Sequence, residues 1–239
     1  MAFSQTRILS LIPLTGGAAT WGVEYNNSFT LAAEQINSST TEDNEKVMIY
    51  TEDTKCNPNV AVSVLRSGIA KYSPDFIIEG ICSGDVLAQA KIVNQAKIPF
   101  IVSGASADEI RDSGEFIFRI IPSDTAVARF GANYLISAGC KNVFLISEKT
   151  SYAQGMKNLL RNSMANQVTL TLEDYLSGER DFSSIIMKLK RTNPDCIIFN
   201  GQTPSSNGLL IGRLGQQFTN LNAKRFVFYS AGNQDLIEA

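Results

Sequence analysis

The stretch DFIIEGICSGDVLAQAKIVNQA, residues 75–96, decides the fold. Residues 75–81 form a short apolar run rich in isoleucine, which predicts a strand buried on both faces. From residue 84 onward the apolar positions recur at helical spacing. Cys82 and Ser83 occupy the tight turn between them. A buried strand that turns directly into a helix is half of a βαβ unit, so this stretch predicts a parallel sheet covered by helices.

The same alternation of strand and helix continues along the whole chain. Strands are predicted at 7–14, 46–53, 75–81, 99–104, 116–121, 142–148, 168–176, 195–201 and 225–230. Helices are predicted at 21–37, 59–72, 84–96, 106–112, 123–139, 152–166, 181–192 and 205–218. This order predicts an α/β fold with parallel sheets. One sheet or two could hold the strands; we predict two lobes, 1–121 and 122–239, because a strand ends at Ile121-Pro122 and a new cycle then begins.

Composition removes several classes of partner. The net charge is −2 and charged residues make up 18% of the chain. No run of Lys and Arg is longer than two residues, which argues against a nucleic-acid partner. No apolar run reaches the roughly 18 residues of a membrane span, so we expect no insertion into a bilayer. The opening residues MAFSQTRILSLIPL are no signal peptide. Our hypothesis is that Met1-Ala2 replaces a removed export signal; a native start codon before Phe3 would contradict it.

The sequence contains few of the residue patterns that catalytic sites and metal sites require. Histidine is absent, which excludes Ser-His-Asp and Cys-His catalysis and zinc sites that contain histidine. No two cysteines have C-x-x-C spacing, and there is neither a G-x-G-x-x-G nor a P-loop pattern. We therefore predict no enzyme, no metal and no cofactor. Cys140 and Cys196 lie at or in predicted strands and are interpreted as small buried residues. For Cys82, a nucleophile, a metal ligand and a disulfide partner stay open at this point.

Ligands of open α/β sheets bind beyond the carboxyl ends of the strands. The loops there are rich in Ser, Thr, Gly and Ala. Ser83 and Ser106 each begin a predicted helix, where free N–H groups favour an anion such as a carboxylate, although simple N-capping is the alternative. Trp21 is either a packing residue or a pocket wall. A further group of acidic residues at strand ends is interpreted as solvated helix-start acids rather than as a catalytic pair: Glu52, Asp53 and Asp85.

Taken together, these loops resemble those of one known family. The matching segments are IPLTGGAATWG (12–22), TKCNPNVAVSV (54–64), GICSG (80–84), IPFIVSGASADEI (98–110), FRIIPSD (118–124), SYAQGM (151–156) and GERDFSSIIMKLK (178–190). Over residues 7–239 the chain resembles the type I periplasmic solute-binding proteins of branched-chain amino acid ABC transporters, and is similar to the leucine/isoleucine/valine-binding family in particular.

The resemblance implies two Rossmann-like lobes that close on a ligand like a hinged trap. It implies capture of an amino acid or related small carboxylate for delivery to the membrane permease of an ABC transporter. The residues to which it assigns ligand contacts are Ser83, Gly104, Ala105 and Ser106 for the carboxylate and ammonium groups, Trp21 and Ile81 for the side-chain pocket, and Tyr152 and Gln202 from the second lobe. A ligand-sensing domain of a receptor or regulator with the same fold is the alternative. A small hydrolase or flavin enzyme is weaker, because it would need a G-x-S-x-G or phosphate-loop pattern.

On this resemblance Cys82 is expected to pair with Cys56, on the assumption that their strands are neighbours. Such a disulfide indicates an oxidising compartment, and thus a periplasmic or extracellular protein, with a lipid anchor on the full-length form as one option.

Two departures from the family stand out. On the resemblance, Ser230 or Ala231 stands where the family has an acid that pairs with the ligand's ammonium, and Asp235 is the nearest acid. Either Asp235 or another group substitutes for it, or the ligand is not an α-amino acid. The family also continues beyond the point where this chain stops. We therefore expect a C-terminally truncated chain with an incomplete first lobe and exposed apolar surface.

Overall fold

The predicted strands form two sheets in the computed structural model, which describes residues 5–42, 45–217 and 223–228. The strands are β1 Thr6–Ile12, β2 Val47–Asp53, β3 Phe76–Glu79, β4 Phe100–Val102, β5 Ile117–Arg119, β6 Asn142–Glu148, β7 Thr169–Tyr175, β8 Cys196–Asn200 and β9 Lys224–Val227. The helices are α1 Ala19–Ser39, α2 Pro58–Tyr72, α3 Ser83–Ala96, α4 Asp124–Ser137, α5 Ser151–Ser163, α6 Ser183–Thr192 and α7 Pro204–Gln217, and a 3₁₀ helix spans Asp108–Asp112.

Both sheets are parallel throughout the part of the chain that the structure describes. Their strand orders are β2-β1-β3-β4-β5 and β7-β6-β8-β9. The predicted α/β fold with parallel sheets is confirmed. In each sheet the strand order reverses beside the first strand, between β1 and β3 and between β6 and β8. Loops that leave these strand ends are where ligands of such sheets bind.

Local signals explain where individual helices begin and end. The side chain of Asn57 accepts hydrogen bonds from the backbone N–H groups of Asn59 and Val60, and Pro58 occupies the first turn of α2. The helix ends at Ser73 in the left-handed conformation. These are the polar cap and the stop that short α-helices use to satisfy their free backbone groups.

The chain divides into two compact units, Met1–Pro122 and Ser123–Ala239. In the second unit, β6 packs on both faces. Val143 and Leu145 join α4 and α5 in one apolar cluster, whereas Phe144 and Ile146 join α6 and α7 in another. This arrangement explains why the strands of this unit are apolar at consecutive positions.

The helices of the first unit contribute unequally to its apolar core. Its main apolar cluster joins β1, β3 and β4 to α2 and α3. Helix α1 contributes only Gly22 as a buried residue, and Leu31 remains 55% exposed. None of the described helices is long and apolar enough to cross a membrane.

Gly22 is required where α1 passes over the end of β1. A Cβ atom at residue 22 would lie 1.9 Å from the carbonyl oxygen of Pro13, whereas one at Gly215 in α7 would meet nothing within 4 Å. We expect Gly22→Ala to lower the free energy of unfolding by about 2–3 kcal/mol, because backbone has to move. Gly215→Ala, the matched control, should raise it by about 0.5–1 kcal/mol through helix propensity. Urea unfolding followed by circular dichroism measures both; equal effects would contradict the close packing at Gly22.

Candidate functional site

Apolar residues of the predicted pocket come together in the first unit. Trp21 and Ile81 belong to one cluster with Ala18 and with Tyr25, one helical turn after Trp21. Ile81 is 2% exposed and Trp21 is half-buried. The loop after β3 and the start of α1 therefore form one apolar wall at the carboxyl edge of the sheet.

The disulfide between Cys56 and Cys82 is present, with its Cα atoms 5.6 Å apart. The assumption behind this prediction was wrong, because β2 and β3 are not neighbours and β1 lies between them. The two loops meet beyond the end of β1 instead. The bridge thus ties the loop after β2 to the turn that leads to Ser83.

Ser83 is the first residue of α3, and its hydroxyl does not cap the helix. The N-cap is Cys82, which forms no capping hydrogen bond through its side chain. Instead, the Oγ of Ser83 accepts a hydrogen bond of 3.3 Å from the backbone N–H of Ala107, and the residue is 1% exposed. Ser83 therefore joins the loop after β3 to the loop after β4.

Ser106 does not cap a helix either, so the N-capping alternative is wrong for both serines. The 3₁₀ helix begins at Asp108, after Ala107. The Oγ of Ser106 is buried and has no hydrogen-bond partner in the described structure, and the residue is 6% exposed. Its carbonyl oxygen, like that of Ala107, accepts from the guanidinium of Arg119, which fixes the loop. A buried hydroxyl without a partner is unfavourable unless another molecule supplies one.

The backbone between the two serines is closely packed. Gly104 and Ala105 are both buried. A Cβ atom at Gly104 would lie 2.2 Å from the carbonyl oxygen of Gly80 and 2.5 Å from the hydroxyl oxygen of Tyr25. Only glycine lets the two loops approach so closely. Burial, followed by the charge of Glu24, raises the pKa of Tyr25, so its hydroxyl stays protonated.

Sequence reasoning missed Tyr25 as a candidate site residue. Its position four residues after Trp21 on α1 was the available signal, because residues so spaced share one face of a helix.

In the second unit, Tyr152 and Gln202 follow the two strands at the reversal of the sheet order. Tyr152 lies in the first turn of α5, is 3% exposed and packs in an apolar cluster with Leu145 and Met156. Gln202 is also 3% exposed, and its backbone N–H donates a 2.7 Å hydrogen bond to the carboxylate of Glu148.

Glu148 is a second residue that the sequence analysis missed. It ends β6 and is 0% exposed. Its Oε2 accepts hydrogen bonds of 2.7 Å from the backbone N–H groups of both Gln202 and Thr203. Burial, together with the charge of Glu148, raises the pKa of Tyr175 far above its usual value. An acid at the end of an otherwise apolar strand was the signal; it indicates a carboxylate that fixes the following loops.

A second disulfide corrects the prediction for Cys140 and Cys196. Both are buried, as expected, but they are bonded to each other, with Cα atoms 5.8 Å apart. Strands β6 and β8 are neighbours, and Cys196 lies opposite Val143. Asp195 lies close to both sulfur atoms, yet disulfide sulfurs are not available as thiolate ligands, and the carboxylate of Asp195 accepts from backbone N–H groups.

The acidic residues at the strand ends differ from one another. Burial opposes ionisation of Asp53, but hydrogen bonds from the Thr15 hydroxyl and from nearby backbone N–H groups outweigh it and lower its pKa. The carboxylate of Glu52 accepts from the Tyr72 hydroxyl. Asp85 is 0% exposed, so its interpretation as a solvated acid was wrong. It lies on the buried face of α3, together with Val86 and Gln89.

The predicted position of the ammonium-binding acid lies outside the described residues. Ser230, Ala231 and Asp235 all lie after residue 228, the last residue that the structure describes.

Each of the two α/β units has a parallel sheet with polar loops at the carboxyl ends of its strands, the place where ligands of such sheets bind. The chain belongs to the periplasmic binding protein family, whose sequence profile matches residues 5–239. It is 25% identical to an amino acid binding protein of Pseudomonas aeruginosa over 86% of this chain and 56% of that protein.

Solved structures share the fold. A leucine binding protein from Thermotoga maritima superposes with a TM-score of 0.87 and 22% identity, over 98% of this chain and 66% of the other. A solute binding protein of an ABC transporter from Rhodopseudomonas palustris, in complex with 3,4-dihydroxybenzoic acid, superposes with a TM-score of 0.80 and 18% identity, over 93% of this chain and 61% of the other. The chain spans little more than half the length of the curated relatives it matches, between 54% and 58% for the first four.

Proposed function

We propose that the chain is part of an extracytoplasmic solute-binding protein that captures a small carboxylate, an amino acid or a related compound, for an ABC importer. The observation that carries this proposal is the buried hydroxyl of Ser106, which has no hydrogen-bond partner among the described residues although it lies in the loop that contacts Ser83. A ligand carboxylate would accept from this hydroxyl, and a charge-assisted hydrogen bond of this kind is stronger than a neutral one.

The neighbouring groups suit the same ligand. The hydroxyl of Ser83 and the backbone N–H groups near Gly104 and Ala105 would hold the carboxylate. Trp21 and Ile81, together with Tyr25, would contact the apolar part of the ligand. In the second unit, we propose Tyr152 and Gln202 as ligand-binding residues.

The relatives support the ligand class. One is named for binding amino acids, one structure is that of a leucine binding protein, and another holds 3,4-dihydroxybenzoic acid. Their ligands share a carboxylate but differ in the ammonium group. A family of binding proteins also supports a non-enzymatic role, a periplasmic or extracellular location and a membrane permease as partner. A ligand-sensing role in a receptor or regulator is the alternative, since it would use the same site.

Calorimetric titration of the protein that carries this chain, with amino acids, benzoates and the corresponding amides, tests the proposal. We expect at least one carboxylate to bind and its amide to bind far more weakly, because the amide lacks the charge. If no carboxylate binds, the proposal is wrong. If an amide binds as tightly as its acid, the site recognises another feature of the ligand.

A further inference from the structure

Two carboxyl groups lie in the interior of the first unit, on either side of the turn that leads into α3. Glu79 is the last residue of β3 and Asp85 the third residue of α3, and both are 0% exposed. Neither oxygen of Glu79 nor of Asp85 has a hydrogen-bond partner in the part of the chain that the structure describes. Two ionised carboxylates in such a position would be costly, because burial disfavours charge and the two repel each other.

No compensating cation lies in the surroundings of this acid pair among the residues that the structure describes. The residues of β1, α2 and β4 that pack in this interior are apolar, among them Leu11, Leu65 and Val102. All described Lys and Arg residues of the first unit are at least partly exposed. The charged residues on β1, β2, α2, α3 and the loop before α2 are likewise exposed or half-buried: Arg7, Glu52, Asp53, Lys55, Arg66, Lys71 and Lys91.

Among the described residues, few hydrogen-bond donors lie near the pair. Gln89 lies one turn after Asp85 on the same face of α3, and its amide nitrogen donates to the carbonyl oxygen of Ala61. Its amide oxygen has no partner within the described residues. Thr54 is the polar neighbour from the loop before α2, and its hydroxyl accepts from the N–H of Cys56. A protonated carboxyl carries an O–H donor that an ionised one lacks. Protonation of the pair would therefore remove its charge. It would also supply an O–H donor for an oxygen that has no partner.

The electrostatics agree with this geometry. Burial raises the pKa of Asp85 to about 7, with the Thr54 hydroxyl acting in the opposite direction. Burial, and after it the charge of Asp85, raises the pKa of Glu79 well above its usual value. The chain contains no histidine, so the group that ordinarily titrates near neutral pH is absent.

We propose that Glu79 and Asp85 hold at least one proton at neutral pH, and that its loss at mildly alkaline pH loosens the first turn of α3. That turn carries Ser83. The N–H of Asp85 donates to the carbonyl oxygen of Cys82, and Cys82 is bonded to Cys56. Charge on the pair would therefore disturb both segments that the disulfide joins, the loop after β2 and the turn after β3. The consequence for the ligand, weaker binding at alkaline pH, rests on the proposed function; the consequence for stability does not.

The direction of the change in stability with pH follows from the thermodynamic linkage between protonation and folding. An acid whose pKa is higher in the folded protein stabilises the fold fully below its unfolded-state pKa, and this contribution is lost as pH rises through the folded-state pKa. For Asp85 the loss runs from its ordinary pKa of 3.8 to about 7, and for Glu79 it runs from its ordinary pKa of 4.5 to a pKa well above that value. Each group lowers the folding equilibrium constant by about tenfold per pH unit within its range. The lowered pKa values of Asp53 and Asp75 act at more acidic pH and do not interfere.

Urea unfolding from about pH 5 to about pH 9, without ligand, tests the proposal. Trp21 is the only tryptophan and lies in the first unit, so its fluorescence reports on that unit. We expect stability to fall with rising pH in the wild type, less steeply in E79Q and in D85N, and hardly at all in the double variant. The exposed acids Glu109 and Asp112 provide matched controls, E109Q and D112N, which should keep the wild-type slope.

A measurement on the wild type alone covers the case in which a variant fails to fold. Infrared spectra at neutral pH should show the carbonyl stretch of a protonated carboxylic acid in the folded protein, and urea should abolish it. A flat pH profile, an unchanged slope in the double variant, or absence of this band would overturn the proposal, as would stabilisation by added calcium or magnesium. Because none of these readouts needs a ligand, failure of ligand binding leaves the result intact.

Discussion

Replacing Glu148 by alanine is expected to lower the free energy of unfolding by about 3–4 kcal/mol, because two buried N–H groups lose a charged acceptor. The carboxylate accepts from the backbone of Gln202 and Thr203 at 2.7 Å and is 0% exposed. The loop that it holds contains a predicted ligand residue. Amide exchange at residues 201–203, followed by mass spectrometry, should accelerate in Glu148→Ala even where the rest of the second unit stays protected.

Two other variants sharpen this prediction. Glu148→Gln keeps an oxygen acceptor without the charge, so its effect should lie between the wild type and alanine. Glu173, on the neighbouring strand β7, pairs with Lys188 at 2.7 Å, but the lysine side chain is 53% exposed. Such an ion pair contributes about 0–1 kcal/mol, and Glu173→Ala should therefore have little effect. If Glu148→Ala and Glu173→Ala destabilise equally, Glu148 does not hold the loop.

The disulfides should account for an effect of similar size. The Cys56–Cys82 and Cys140–Cys196 bonds join residues 26 and 56 positions apart. In the chain-entropy account, removing them should cost about 3.5 and about 4 kcal/mol respectively, because the longer loop restricts the unfolded chain more. The double variants C56A/C82A and C140A/C196A test this by urea unfolding, with Trp21 fluorescence reporting the first unit and circular dichroism following both units.

Thiol titration of the denatured, unreduced protein provides the independent check. No free thiol should be found in the wild type, and none in either double variant, since each retains one intact disulfide. Two free thiols in the wild type would show that one of the bonds does not form, and the corresponding stability loss would then be absent.

The strands and helices could be predicted because apolar periodicity is local. The pairing of Cys140 with Cys196 could not, since it depends on β8 lying beside β6, and strand order is not encoded at any single position. Cys56 and Cys82 were paired correctly although their strands are not neighbours, because the resemblance to a family, not the assumed geometry, carried that prediction.

The candidate site was predictable in outline only. A serine before a helix reads as an N-cap, yet the hydroxyl of Ser83 accepts from Ala107 in a different loop, a tertiary contact that no local pattern reveals. Burial of Asp85 and Glu148 was missed for a related reason: an acid at a strand end is solvated unless the turn after it faces inward, and tertiary structure decides that direction.

The central claim is that the first unit binds the ligand's carboxylate through the hydroxyl of Ser106. The affinity of a Ser106→Ala variant for the ligand tests this claim most directly. With the carboxylate that binds the wild type most tightly, calorimetry should give a Kd at least about tenfold weaker for Ser106→Ala, because the ligand loses a charge-assisted hydrogen bond. The control is Ser67→Ala, an exposed serine on α2 whose hydroxyl donates to the carbonyl oxygen of Val64; it should leave Kd unchanged. An equal Kd for the wild type and Ser106→Ala would contradict the account.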